Sequence, residues 1–146
     1  MSKYIELLLL LLPCALSDLF RMEVPLLPIL VLCPAAAAAE FIFFGLGALD
    51  AVIGTAAGFL FIGLALLAKK SFGMGDGILI TGIGLFAGIR LLVPLLLIAF
   101  ILAAAVGAVL ILIRRGGRKK QIPFVPFLFL SAVILMFLHL FGGEPA

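Results

Sequence analysis

"GILITGIGLFAGIRLLVPLLLIAFILAAAVGAVLILI", residues Gly77–Ile113, holds one charged side chain, Arg90, in 37 positions. As a single α-helix it would reach about 55 Å at 1.5 Å per residue, whereas a hydrocarbon core is about 30 Å thick. One crossing leaves too much apolar helix over, and Arg90 with Pro94 offers a place to turn. The stretch therefore reads as two spans, Gly77–Ile89 and Leu91–Ile113, the first of them short and rich in glycine. Working outward, charges and turn residues bound four more: Lys3–Ser17, Val24–Phe44, Asp50–Ala68 and Ile122–Phe141. The expected fold is all-α, a polytopic transmembrane helical bundle of about six spans. Five is the alternative count.

Composition agrees with this reading. Hydrophobic residues make up 66% of the chain, charged ones 12%, and the mean hydropathy is +1.48. Soluble domains are about half apolar, so a chain of this size has nowhere but lipid to place the excess. The polar–apolar alternation of a membrane β-barrel is absent. No polar stretch is long enough for a soluble domain, so residues 1–146 read as one integral-membrane domain. The first apolar run, Tyr4–Leu16, is followed by "PCALSDLF", a poor signal-peptide cleavage site, and reads as a retained helix.

Six crossings place Arg21, Lys69, Lys70, Arg114, Arg115, Arg118, Lys119 and Lys120 on one face, and Lys3 and Arg90 on the other. The positive-inside rule makes the first face cytoplasmic and puts both termini outside. Much of the net charge of +3 lies in "RRGGRKKQ", Arg114–Gln121, which suits an anchor against anionic lipid and requires no nucleic acid. Cys14 and Cys33 lack Cys-x-x-Cys spacing and read as packing residues. The alanine run in "CPAAAAAEF", with Gly54, Gly58, Gly84 and Gly88, reads as helix-packing seams, because small residues let backbones approach in lipid. His139, the lone histidine, reads as interfacial. No metal and no cofactor is implied.

Seven acidic residues remain: Glu6, Asp18, Glu23, Glu40, Asp50, Asp76 and Glu144. Carboxylates in or beside a membrane are costly and point to function. Asp18 closes the first span and Asp76 opens the fourth, both at the cytoplasmic boundary. Asp50 opens the third at the opposite face. Asp18 and Asp76 can thus share a site that Asp50 cannot join. Two close carboxylates resist joint ionisation, so one is held protonated while the other stays charged. Such a pair can activate water and polarise a peptide carbonyl. Gly73, Gly75 and Gly77 around Asp76 permit unusual dihedrals and close backbone approach. Each aspartate also has a plainer reading: Asp76 as a helix N-cap, Asp18 as a polar helix end.

"GMGD", Gly73–Asp76, resembles the GxGD signature of membrane aspartyl proteases, and the surrounding chain resembles the type IV prepilin peptidase branch. "SDLFRMEVP" resembles that family's first catalytic segment, with Pro25 seven residues after Asp18. "LDAVIGTAAGFLFIGL" resembles the span before GxGD, and "KKQIPFVPFLFLSA" the basic loop and IPFGP-type entry to the last span. The resemblance implies that Asp18 and Asp76 are the catalytic pair, with Gly73 and Gly75 as motif glycines and Pro123, Phe124 and Pro126 as structural elements. It implies an endopeptidase of the cytoplasmic membrane that removes basic leaders from prepilin-like precursors at the cytoplasmic face. The precursor is a pilin, a pseudopilin or an archaellin-like subunit.

Three positions depart from the family pattern: Ile78 where lysine is common, Leu26 where a polar residue is usual, and Val125 in place of the IPFGP glycine. The insert with paired Cys-x-x-Cys motifs, associated with N-methylation, is absent. The chain thus resembles the minimal, peptidase-only form. A non-enzymatic assembly partner, or a degenerate relative, is the alternative that the three departures motivate. A transporter is weaker, because the spans show no two-half repeat and no midplane charges.

Overall fold

A computed structural model describes residues 2–21, 26–39, 41–42, 47–67, 74–113 and 123–142. Five helices occupy them: α1 (Ser2–Arg21), α2 (Leu26–Ala39), α3 (Ala48–Leu67), α4 (Met74–Ile113) and α5 (Val125–Gly142). No strand occurs among the described residues. The all-α expectation holds. Two helices are long and apolar enough to cross a membrane, Gly75–Ile113 and Val125–Gly142, with shorter apolar stretches at Ile29–Ala38 and Ala48–Leu64. Helix length by itself thus falls short of six crossings.

The expected turn inside Gly77–Ile113 is real but lies earlier than Arg90 and Pro94. Gly88 breaks the helical geometry of α4, with φ 74° and ψ 173°. That region of backbone space is open essentially only to glycine. The break is a reversal. A Cβ at Gly77 would lie 2.8 Å from the Ile62 side chain, while the neighbouring Phe61 ring stacks on Phe100 at 5.9 Å. In a straight helix Gly77 and Phe100 would stand about 35 Å apart. Both instead meet adjacent residues of α3, so the second limb of α4 folds back along the first. Pro94 stays helical within that second limb.

Small residues set the tightest contact. α3 runs antiparallel to the first limb of α4, and a side chain at Gly54 would strike the Gly84 carbonyl. One at Gly58 would strike Thr81. Gly54, Gly58 and Gly84 are therefore packing glycines, as expected, whereas Gly88 is a backbone device. The hydroxyls beside this seam are spent inside their own helices: Thr55 donates to the Ala51 carbonyl at 2.7 Å, and Thr81 to the Gly77 carbonyl at 2.8 Å. Such local bonding is how polar side chains persist where water is scarce.

The core is the inner face of this arrangement. Leu7, Leu11 and Cys14 of α1, Leu79, Ile83 and Phe86 of α4, and Leu128 of α5 are fully buried. Cys33 lies in the same core, so that a side chain at Gly82 would meet its sulfur. Both cysteines are free thiols. The outer face is apolar too: Leu9, Phe20, Leu30, Phe59, Ile111 and Phe141 are all exposed. In water so large an apolar surface would aggregate, whereas in a bilayer it is the side that meets lipid.

Candidate functional site

Helical register turns Asp18 inward. Leu7, Leu11, Cys14 and Asp18 recur at three- and four-residue intervals, so the stripe that buries the first three also buries the carboxylate, 6% exposed. Burial penalises a bare charge, and a donor from another helix answers it. The Val125 amide donates to Asp18 Oδ2 at 3.1 Å. At the far end of the same two helices the Tyr4 and His139 rings lie 5.1 Å apart, so α1 and α5 are antiparallel.

Val125 can reach Asp18 because of how α5 begins. The Phe124 carbonyl accepts from the Phe127 and Leu128 amides at 3.0 and 3.2 Å, which makes Phe124 the residue that starts the helix. The first amides of a helix have no partner within it. Pro126 has no N–H, and Phe127 is already bonded, so Val125 carries the outward donor.

Asp76 lies in the first turn of α4 and is partly buried. A carboxylate there is favoured by the positive end of the helix dipole. A line of contacts relates its position to Asp18. Val125 adjoins Phe124, whose ring lies 5.1 Å from Phe100; Phe100 stacks on Phe61; and Ile62 lies against Gly77, next to Asp76. Both aspartates thus sit toward one end of the bundle. Asp50 is at the other end, about 18 Å along α3 from Ile62, the residue that meets Gly77 beside Asp76, and it pairs with Arg90 at 3.3 Å.

Of the remaining expected positions, Gly75 is the second residue of α4, and Ile78 is partly buried against the core. Leu26 opens α2. Gly73, Pro25, Arg21, Lys69, Lys70 and the basic run Arg114–Lys120 lie outside the residues described, at least in their side chains. On the outer flank of Asp18 an apolar cavity of about 230 Å³ is lined by Leu12, Ala15, Leu16, Leu19, Pro126 and Phe129. That flank is apolar. Among the described residues no group of three or more His, Cys, Asp or Glu side chains is placed to hold a metal.

Sequence reasoning missed the Val125 amide, because it weighed position 125 by its side chain. The available signal was the pair Pro123 and Pro126, which brackets a helix start and so locates its unpartnered amides.

Comparison with known proteins gives a consistent picture. The sequence pattern of the type IV leader peptidase family matches residues 5–108. The chain is 35% identical over 93 residues to the prepilin leader peptidase/N-methyltransferase of Aeromonas hydrophila, covering 60% of this chain and 32% of that one. It is 27% identical over 135 residues to the protein of the same name from Bacillus subtilis (strain 168), covering 89% and 52%. The chain thus spans about a third to a half of the length of these relatives. No solved structure matches it.

Proposed function

Because the chain belongs to the type IV leader peptidase family, we propose that it is a membrane aspartyl endopeptidase that cleaves the basic leader from prepilin-like precursors. The observation that carries this reading is the placement of Asp18 and Asp76 toward one end of the bundle, with Asp50 engaged at the other. In the proposed reaction one carboxylate is charged and removes a proton from water as the water oxygen attacks the scissile carbonyl carbon. The other, protonated, hydrogen-bonds the carbonyl oxygen as negative charge develops there. Collapse of the tetrahedral intermediate breaks the C–N bond, and the departing nitrogen takes its proton from the acid partner.

The reversal at Gly88 supports counting α4 as two passes and the bundle as six, with the aspartates facing the cytoplasm on the side of the basic residues. The reading takes the peptidase part of the relatives' names alone, since it is the leader peptidase family's pattern that residues 5–108 match. The test is cleavage, in membranes, of a precursor carrying a basic leader, a glycine and an apolar helix. The native protein should cleave it, and Asp18→Asn and Asp76→Asn should not, while remaining membrane-embedded. Full activity in both variants would sink the assignment. Lack of cleavage by the native protein across pilin, pseudopilin and archaellin-like substrates would favour the non-enzymatic alternative.

A further inference from the structure

The link between Asp18 and α5 is made by main chain, and this bears on the reaction. We infer that the amide of Val125 is a positioning group: it holds Oδ2 of Asp18, so that this carboxylate presents its other oxygen to water in one orientation. The inference rests on the peptidase reading and deepens it.

Three observations carry it. First, the amides at the start of α5 are accounted for in a way that leaves Val125 as the donor. Pro126 has none, and Phe127 is taken by the Phe124 carbonyl. Second, both ends of the bond are fixed. Asp18 is 6% exposed on the inner stripe of α1, and Val125 is fully buried, so neither side of the bond can drift. Third, the donor stands at the start of a helix, whose dipole favours a carboxyl oxygen as its acceptor. A carboxylate acting on water has to be held in register with the scissile carbonyl, and misplacement by about 1 Å can cost about 10²-fold in rate.

The same geometry explains why valine can stand where the family pattern has glycine. The group that touches Asp18 is the N–H, which both residues supply. The side chain points into the core and fills it. Only proline would remove the donor.

Val125→Pro is therefore the informative change, and the fold is prepared for it. The first position of a helix accepts proline readily. Phe124, just before the helix, has no helical geometry to lose, and Val125 itself already precedes a proline. With precursor cleavage measured in membranes, Val125→Pro should lower kcat about 10²-fold while KM stays close to native. Val125→Gly and Val125→Ala, which keep the N–H and lose only core packing, should lose far less kcat than Val125→Pro. Should Val125→Pro fail to fold, a backbone ester at position 125 deletes the same N–H with the side chain intact. Independently of cleavage, the amide proton of ¹⁵N-labelled Val125 should shift in Asp18→Ala. Native kcat in Val125→Pro, equal loss in Val125→Gly, or an unmoved amide signal would each overturn the inference. A native protein that cleaves nothing, with the amide signal moving, would instead overturn the peptidase reading and with it any role for Val125 in a reaction.

Discussion

Asp18 and Asp50 are both aspartates at helix ends, yet the molecule treats them in opposite ways. Asp18 is buried and held by an uncharged main-chain donor that cannot move away. Asp50 is 29% exposed and held by the guanidinium of Arg90, itself 84% exposed on a flexible stem. An exposed pair of this kind contributes about 0–1 kcal/mol, because water competes for both partners. A buried carboxylate costs desolvation that a single main-chain hydrogen bond, such as the one from Val125, only partly offsets. Stability alone gives no reason to keep Asp18; a leucine would continue its stripe better. Asp50 does what a structural charge does, clasping α3 to the reversal of α4. The comparison teaches that the costly carboxylate is the one to suspect of chemistry.

The largest effect that would sharpen this contrast is on cleavage. Asp18→Asn and Asp76→Asn should each lower kcat by about 10³-fold, within the range supplied by general acid–base catalysis. Asp50→Asn should leave it unchanged, and equal losses in all three variants, read from precursor processing, would break the comparison. Next come the devices that place the two ends. Gly54→Val pushes a side chain into the Gly84 backbone and should cost about 1–3 kcal/mol, measured by reversible unfolding in detergent. Gly88→Ala should cost a similar amount, because alanine tolerates φ 74° with ψ 173° poorly. The smallest effect belongs to Asp50→Asn on stability, below about 1 kcal/mol and shrinking further with added salt. A larger loss there would mean that the exposed clasp carries more of the fold than its geometry indicates.

Much of this was legible in the sequence because lipid is an undemanding solvent to read. Apolar runs and their charged borders located α3 to within two residues at its start, and the excess length of Gly77–Ile113 required a reversal. The exact turning point was not legible. Proline and arginine are conspicuous in a sequence, but the torsion fell on Gly88, one glycine among several with the same local surroundings. Asp18 and Asp76 were singled out by charge and by side. The partner of Asp18 was hidden, because a main-chain amide has no letter of its own, and Val125 read as a departure from a pattern.

Gly88 also decides a matter of parity. Each reversal in a bundle exchanges the end at which the next segment begins, so removing one exchanges it for everything downstream. Were α4 to run straight on, its last turn would stand about 58 Å from its first, and α5 would start well beyond the Tyr4 end of the bundle, with the Val125 amide far out of reach of Asp18. A single torsion in the interior of one helix thus acts as the odd-or-even switch of the whole chain.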